Sequence, residues 1–395
     1  MNDIQRGILN LIRSAITKQP IPLPEGFCLA DAEKLINSHQ IHGLAYEGAV
    51  LCGIPKTDPV MGRLFQKYCQ LIRRDHIQMT ALKKVYDAFE ENGIDYLPVK
   101  GCVLKELYPN PAMRTMGDAD VLIRTEQYDT IKSLLQSLNY VEGTPYHHEL
   151  PWSNASLRLE LHGYLIHDYH VLEYKYFLNA WDTAVHTGSR RYDLSKEDTL
   201  LYVFAHYAKH YRIGGIGLRQ IVDIWVWQKA HPSINMDIVY SGLEQMDLKA
   251  FYESTMETLR CWFMDGEETE KAAVMTQYIF SSGSWGSVES HSTASSLRES
   301  KNYGSTKIAR RKNILQAIFP SANKLSEQFP VLNKASWLLP FFWCVRWIRT
   351  LLFRRKNIRK YGHRLAAASD QKIKTFEQSL DFVGLRVHAS TPESF

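Results

Sequence analysis

The amino-acid sequence of 395 residues lacks the signatures of several specialised classes of protein. Its six cysteines are scattered, with no pair at metal-ligand spacing, so neither a zinc site nor a disulfide framework is predicted. A net charge of +5 is too small to indicate a nucleic-acid partner by itself. No apolar run reaches the ~20 residues of a membrane-spanning helix, and residues 1–19 lack the pattern of a signal peptide. We therefore expect a folded cytoplasmic protein with reduced thiols.

Hydrophobic periodicity predicts a long helix followed by alternating strands and helices. Apolar residues recur at steps of three and four through residues 64–89, and Asn92-Gly93 ends this helix. Residues 94–99 form an apolar run suited to a strand, and residues 100–108 follow as a short helix. A second unit has a strand at 118–123 and then a helix over the next residues to Leu138. The middle of the chain is therefore predicted to contain a β-sheet with helices.

The second half of the chain is predicted to be mostly helical. Helical periodicity covers residues 198–211 and 218–229, and a glycine-rich hinge separates the two helices. Arg219 and Asp223 are four residues apart on the second helix, a spacing that allows them to pair. Residues 281–300 are rich in serine and glycine with few core-forming side chains, so we expect a long mobile loop there.

Three acidic residues form the strongest chemical signal in the sequence. Asp118 and Asp120 are one residue apart on a predicted strand, whose two-residue period directs both carboxylates to the same side. In residues 156–162 apolar and polar side chains alternate, which places leucines on one face of a strand and polar residues, including Glu160 and His162, on the other. Like charges held together repel, and a hard divalent cation with oxygen ligands relieves that repulsion. We therefore predict that Asp118, Asp120 and Glu160 bind Mg²⁺ or Mn²⁺.

Such a site suits phosphoryl or nucleotidyl transfer, because two metal ions about 4 Å apart activate a hydroxyl and neutralise a leaving pyrophosphate. Gly101 lies at the start of a predicted helix, where a small residue lets a phosphate approach backbone N–H groups. Lys100 and Arg114 are candidates to contact the triphosphate, and His162 to lie beside the metal ions. Each of these residues has an alternative interpretation. Lys100 could be a solvated charge, Arg114 could form a structural ion pair, and His162 could donate a hydrogen bond to a loop.

Residues 92–165 carry motifs that together resemble the uncharacterised nucleotidyltransferase family of the polymerase-beta superfamily. The motifs are 97–104 (LPVKGCVL), 107–109 (LYP), Arg114, 116–123 (MGDADVLI) and 159–162 (LELH). The resemblance implies a turn at Gly101, metal binding by Asp118 and Asp120, and a third acidic ligand, Glu160, on a later strand.

The fold class expected from the elements and the resemblance is α+β. It comprises a polymerase-beta-like nucleotidyltransferase core with a small mixed sheet, flanked by an N-terminal and a larger C-terminal helical region. The expected boundaries are residues 1–90 for the first helical region, 91–190 for the core, 191–332 for the helical domain, and 333–395 for a basic aromatic segment.

The activity that these features predict is the transfer of a nucleoside monophosphate from a nucleoside triphosphate to an unknown hydroxyl acceptor. The acceptor is a small molecule, a glycan or a peptide. Two rival interpretations stay open: kinase-like transfer of phosphate to a peptide or metabolite by the same metal site, and a non-catalytic adaptor that keeps the fold as a binding scaffold.

Two further features have open interpretations. His206 and His210 lie one turn apart on a helix, a spacing that can bind zinc, and the alternative is that they pack in the helical domain or line the cleft. Residues 334–364 contain nine Lys or Arg, no Asp or Glu, and several aromatic residues. This segment either contacts an anionic membrane through residues 337–364, at the inner membrane surface, or packs its aromatic side on the body of the protein.

Overall fold

The computed structural model describes residues 1–145, 149–284, 286, 288–303, 315, 318–326, 328–333, 335–353 and 370–388. Four helices precede the sheet: α1 (Asp3–Thr17), α2 (Leu29–His39), α3 (His42–Leu51) and α4 (Pro59–Glu91). Helix α4 begins where the Asp58 side chain accepts a hydrogen bond from the Val60 amide at 2.7 Å, with Pro59 in the first turn. At Gly93, whose φ is +67°, the chain turns away from the C-terminal end of α4. The predicted long helix is confirmed, with wider bounds.

Five short strands form one mixed sheet in the order β1-β2-β5-β4-β3. The strands are β1 (Tyr96–Val99), β2 (Ala119–Ile123), β3 (Val141–Glu142), β4 (Glu149–Ser153) and β5 (Arg158–His162). Strands β2 and β5 are parallel, whereas the other neighbours are antiparallel. Helix α5 (Gly101–Leu104) follows β1, and helix α6 (Tyr128–Ser137) follows β2. The predicted α+β class with a small mixed sheet is confirmed.

The sheet separates two hydrophobic cores. Leu159 and Leu161 of β5 belong to the smaller core, together with apolar residues of α4 and α6. Leu122 of β2 belongs to the larger core, which includes the helices of the second half. Because side chains alternate along a strand, Asp120 lies on the same face of β2 as Leu122. The polar face of the sheet is therefore turned toward the second helical region.

That region begins after the sheet and contains eight helices in the described residues up to Tyr303. They are α7 (Val171–Phe177), α8 (Ala180–Thr183), α9 (Lys196–Arg212), α10 (Leu218–Ala230), α11 (Met236–Gln245), α12 (Lys249–Phe263), α13 (Glu270–Ser282) and α14 (Val288–Tyr303). A hairpin of β6 (Val185–His186) and β7 (Tyr192–Asp193) lies between α8 and α9. Helices α9 and α10 match the two that the periodicity predicts.

The prediction of a mobile loop at residues 281–300 was wrong, because α14 occupies most of that range. This helix buries small polar side chains as well as apolar ones, and its buried residues include Thr293, Ala294, Ser296 and Leu297. A helix face built from serine and threonine gives almost no hydrophobic signal in the sequence.

The C-terminal part contains α15 (Ala322–Ser326), α16 (Leu339–Phe353) and α17 (Asp370–Phe382). Trp343 and Trp347 of α16 pack on Phe319, whereas Trp337 and Phe341 are 78% and 61% exposed. Of the basic segment, Lys334 and residues 354–369 lie outside the described residues, and contact with a membrane stays a prediction. No described helix combines the length and apolar character needed to cross a bilayer.

Candidate active site

Three buried side chains from two neighbouring strands meet on the polar face of the sheet. Asp120 of β2 lies opposite Glu160 of β5 in the parallel register, and His162 follows two residues later on the same face. Asp120, Glu160 and His162 are 4%, 8% and 1% exposed. One ligand atom from each lies within 4.8 Å of the others, so the group can hold a metal ion. Parallel pairing of β2 with β5 thus brings together residues that are 40 positions apart in the chain.

Asp118 completes the acidic group from the edge of a cleft. Strand β2 begins at Ala119 rather than at residue 118, so Asp118 lies in the turn that precedes it. Its side chain is half-buried and lines the cleft, and, after burial, its charge is the next cause of the raised pKa of Glu160. The structure therefore brings Asp120 and Glu160 together with His162, whereas metal binding by Asp118 stays a prediction.

The electrostatic surroundings of the two buried carboxyl groups differ. Burial, followed by repulsion from Asp118 and Asp120, raises the pKa of Glu160 to about 8. Burial also disfavours the charged form of Asp120, but the Lys100 ammonium holds the pKa of that group well below its usual range. The cation beside Glu160 is Arg158, with Nη2 2.8 Å from Oε1, and its side chain is 59% exposed. The three acidic groups therefore outnumber the cations Lys100 and Arg158, and with a pKa of about 8 Glu160 is mainly protonated near pH 7 unless a cation binds.

Lys100 reaches this site through an unusual backbone conformation. Its φ of +50° and ψ of −118° are strained for a residue with a side chain, and such strain persists where the surroundings impose it. The Nζ atom lies 2.6 Å from Asp120 Oδ1, and the side chain is 18% exposed. Burial favours the neutral amine, but Asp120 outweighs it and raises the pKa of Lys100. Lys100 is therefore not the solvated side chain of the alternative interpretation, and its contact with phosphate stays a prediction.

Gly101 and Arg114 take part in a buried network behind the cleft. A Cβ atom on Gly101 would lie 2.9 Å from Arg114 Nη1, so the missing side chain makes room for the guanidinium. Arg114 donates from Nε and Nη2 to the two carboxylate oxygens of Asp223, at 3.2 and 2.8 Å. The Tyr108 hydroxyl donates to the same carboxylate at 2.7 Å. Arg114 thus forms a structural ion pair, and its contact with a triphosphate, like that of Gly101, stays a prediction.

Asp223 is therefore engaged with a residue more than a hundred positions away, and the pair with Arg219 suggested by helical spacing was wrong. Arg219 instead donates from Nη1 to the backbone carbonyl and the hydroxyl oxygen of Thr115, both at 2.9 Å. This contact fixes the segment that leads into Asp118. Helix α10 therefore positions both ends of the loop between α5 and β2.

A cleft of about 600 Å³ opens beside Asp118. Its walls come from α2, α3, α4, the segment 112–118 and α10. The basic residues along these walls are Lys67, Arg74, Lys105, Arg114 and Arg219. Lys105 is paired with Asp75, which is the second acidic residue on the described walls. The volume lies in the range of small-molecule sites, and the excess of basic side chains suits an anionic ligand.

A second cavity of about 480 Å³ adjoins this cleft across Gly117. It is lined by α4 and by the turn at residues 154–158, and it brings in Arg73 and Arg158. The two cavities share Arg74 of α4. Gly117, next to Asp118, therefore lines both cavities, whereas Asp118 itself lines the larger cleft.

His206 and His210 contact each other on α9, with their Nε2 atoms 3.2 Å apart. Burial, followed by the charge of Lys209, lowers the pKa of His210 to about 3, so this imidazole is neutral near pH 7. Among the described residues, the group of potential metal ligands that converges is Asp120, Glu160 and His162, and neither α9 histidine belongs to it. The arrangement fits packing beside the cleft better than a zinc site.

Two contributions to the site were missed in the sequence. Lys100 was considered as a phosphate ligand or as a solvated charge, although it pairs with Asp120 directly. Helix α4 was predicted only as a long helix of the first helical region, although it supplies the basic wall of the cleft. Lys67 and Arg74 are seven residues apart and so lie on the same helix face, which is the signal that would have revealed this wall.

The sequence matches the model of a family described as uncharacterised nucleotidyltransferase over residues 30–264, which is more than half of the chain. No curated protein matches it at a significant level. Among solved structures, the antibiotic-resistance factor ANT(2'')-Ia in solution matches with 13% identity and a TM-score of 0.34, over 48% of this chain and 99% of that chain. Nothing about this chain's mechanism follows from a likeness that weak. On the family match, the chain belongs to the uncharacterised nucleotidyltransferase family and is a transferase of phosphorus-containing groups.

Proposed function

We propose that this protein transfers a nucleoside monophosphate from a nucleoside triphosphate to a hydroxyl group of an acceptor, with Mg²⁺ or Mn²⁺ as the metal cofactor. The observation that carries the proposal is the convergence of Asp120, Glu160 and His162, with Asp118, two residues before Asp120, on the wall of a basic cleft. Family membership supports transfer of a nucleotidyl group in general, and the roles of the individual residues are ours.

The residues present fit a hard divalent cation. Asp118, Asp120 and Glu160 offer carboxylate oxygens, which are the ligands that Mg²⁺ and Mn²⁺ prefer. Repulsion among these groups contributes to the raised pKa of Glu160, and a cation between the carboxylates would remove it. A bound divalent cation supplies neutralisation of the phosphate charge and acidity to the attacking hydroxyl.

The neighbouring side chains have supporting roles in the proposal. His162 lies with Nε2 3.0 Å from Asp120 Oδ1, which suits an imidazole that orients the carboxylate. Lys100 keeps Asp120 ionised. Glu160, once ionised, is placed to orient the acceptor hydroxyl or accept its proton. Each group thus acts on charge or position around Asp118, which is next to Gly117 on the wall of both cavities.

The two adjoining cavities suggest how the substrates bind. We assign the nucleoside triphosphate to the larger cleft, because Lys67, Arg74 and Arg219 on its walls can pair with phosphate oxygens. We assign the acceptor to the smaller cavity beyond Gly117. Asp118 then lies between the two substrates, which is where transfer takes place.

The decisive experiment compares the native protein with Asp118→Asn and with Asp129→Asn, an exposed aspartate of α6 that serves as the matched control. Each protein is incubated with each labelled nucleoside triphosphate, Mg²⁺ and a cell extract as the source of acceptor. We expect transfer of label to fall at least about 100-fold in Asp118→Asn and to be unchanged in Asp129→Asn, because losing one group that acts on transition-state charge costs this much. Equal transfer by the native protein and Asp118→Asn would refute the proposal.

Mass spectrometry of the labelled acceptor separates nucleotidyl transfer from the kinase-like rival. A nucleoside monophosphate adds far more mass than a phosphate group, so one spectrum assigns the reaction. Calorimetric titration of Mg²⁺ with a non-hydrolysable nucleotide then tests the metal site without the acceptor. We expect the double variant Asp118→Ala/Asp120→Ala to lose that binding, and retained binding would contradict the ligand assignment.

A further inference from the structure

A third cavity, of about 180 Å³, lies outside the cleft and its adjoining cavity. It is enclosed by the start of α7, the end of α9, one face of α14 and residues 387–388. None of its lining residues belongs to the carboxylate site or to the two cavities assigned to the substrates. Any ligand that binds here therefore binds at a separate site.

Among the ionisable side chains on the described walls of this cavity, basic ones outnumber acidic ones. Arg212 of α9 and Arg298 of α14 contribute guanidinium groups, and the histidines on the walls are His170, His291 and His388. Glu173 is the single acidic residue on the described walls, and it is paired with Arg212. The balance of charge on the walls favours an anion.

Arg212 is 8% exposed, and part of its guanidinium lacks a protein partner. Its Nη1 donates to Glu173, and its Nε donates to the Arg386 carbonyl oxygen at 2.9 Å. Its Nη2 is buried, with no hydrogen-bond partner among the described residues. A buried charged donor without a partner is unfavourable, and such groups are rare unless a ligand or water satisfies them. Arg212 therefore offers a fixed donor at the wall of the cavity.

Two neighbours reinforce this donor. The Nε2 atom of His170 is likewise buried without a partner among the described residues. Burial, followed by the charges of Arg212, Lys209 and Arg298, lowers the pKa of His170 well below its usual value. Arg298 lies over the Tyr169 ring, 5.5 Å from its centroid, and it forms no ion pair with an acidic side chain of the described residues. An anion in the cavity would meet two guanidinium groups and an imidazole.

We propose that this cavity binds a phosphate or carboxylate group, either as a free anion or as part of a small organic molecule. Arginine is suited to this task because its planar donors match the oxygens of both groups. The Ser295 hydroxyl on the same wall is a further donor. The site does not rest on the proposed nucleotidyl transfer, since it shares no residue with that machinery.

The test measures binding by calorimetry in EDTA, with the full chain and three probes: inorganic phosphate, glycerol phosphate and acetate. Arg298→Gln removes a guanidinium from the wall, and Arg260→Gln, at an exposed position of α12, is the matched control. We expect phosphate to bind the native protein and Arg260→Gln equally, and to bind Arg298→Gln at least tenfold more weakly. Absence of saturable binding by all three probes, or equal affinity in Arg298→Gln, would overturn the proposal.

Two further variants keep the interpretation unambiguous. Ser295→Phe places a large side chain on the cavity wall, and we expect it to weaken binding as strongly as Arg298→Gln; circular dichroism checks that both variants fold. Arg74→Gln removes a cation from the proposed catalytic cleft, and we expect it to bind the probes like the native protein. Binding lost in Arg74→Gln but kept in Arg298→Gln would assign the anion to the catalytic cleft and refute this site. Tighter binding of glycerol phosphate than of inorganic phosphate identifies an organic ligand, and the reverse identifies a free anion.

Discussion

Two buried clusters of charged side chains lie close together in this fold, and they are built in opposite ways. The arginine cluster (Arg114, Asp223 and Tyr108) has one cation, one anion and a hydroxyl donor, and both carboxylate oxygens of Asp223 accept hydrogen bonds. The carboxylate cluster (Asp118, Asp120 and Glu160) has three acidic groups, for which Lys100 is the buried cation. The first cluster is satisfied by the protein alone, whereas the second is not.

This difference indicates what each cluster does. A closed network of paired groups fixes the positions of the elements that contribute to it, here the loop before β2 and helix α10. A cluster with excess negative charge is unfavourable for stability and is kept where it binds a cation or substrate. Structural and functional burial of charge can therefore be told apart by asking whether the protein itself completes the pairing.

The largest change in stability is expected from Arg114→Met, which removes the cation of the arginine cluster. The variant leaves the Asp223 carboxylate, which is 3% exposed, without its cation. We expect the free energy of unfolding to fall by about 3–5 kcal/mol, because removing one partner of a buried pair leaves an uncompensated charge. Urea denaturation followed by circular dichroism measures the change.

The control for this variant is Arg63→Met, which opens an ion pair with Glu33 at the surface. The Arg63 side chain is 54% exposed, and such pairs contribute about 0–1 kcal/mol. If Arg114→Met were no more destabilising than Arg63→Met, the arginine cluster would have no structural role and the contrast between the clusters would fail.

A second prediction concerns a buried ionisable group that has no charged partner. His39 is fully buried between α2 and the second helical region, where its Nδ1 accepts a hydrogen bond from the Leu218 amide at 3.3 Å. Burial lowers its pKa in the folded protein to about 4, from a usual 6.5. Below pH 6.5 the unfolded chain gains a proton that the folded protein does not. The stabilisation is therefore complete above pH 6.5 and is lost as the pH falls toward 4.

We expect His39 to account for a loss of about 2 kcal/mol in the free energy of unfolding between pH 7 and pH 5. The variant His39→Gln retains a hydrogen-bonding side chain and removes the titration. The pH dependence of its stability should be flatter than that of the native protein by this amount, as measured by urea denaturation at both pH values. Parallel pH profiles would show that His39 is not kept neutral in the folded protein.

The residues of the carboxylate cluster could be predicted from the sequence, because short-range spacing along each predicted strand singles them out. The two-residue period of a strand relates Asp118 to Asp120, and the alternation of residues 156–162 singles out Glu160. One assumption about pairing was then enough, namely that the two strands are neighbours, and the parallel register of Asp120 with Glu160 satisfies it. The residue types and their spacing carried most of the information.

The arginine cluster could not be predicted from the sequence, because its members are far apart in the chain. The helical spacing of Arg219 and Asp223 suggested a partner four residues away, but Asp223 accepts from Arg114, 109 residues earlier in the chain. Helix α14 was missed for a related reason, since burial of Thr293 and Ser296 depends on what they contact and not on their hydrophobicity. Both errors arose where tertiary contacts override local preference.

Asp118→Asn is expected to change stability least, and in the opposite direction to Arg114→Met. Asp118→Asn removes one of three neighbouring acidic groups while keeping the shape of the side chain. In EDTA we expect the variant to be as stable as the native protein or more stable by up to about 1 kcal/mol, since repulsion with Glu160 is relieved in a partly exposed setting. Thermal denaturation beside the control Asp129→Asn measures the difference.

Addition of Mg²⁺ should reverse that order. A cation that binds only the folded state raises stability, more so the tighter it binds, and Asp118→Asn lacks one of the proposed ligands. The native protein should therefore gain in melting temperature with Mg²⁺, and Asp118→Asn should gain little. A variant that is destabilised in EDTA would mean that Asp118 forms favourable contacts in the fold. The carboxylate cluster would then resemble the arginine cluster, with charges balanced by the protein, and the reason to expect a cation there would be gone.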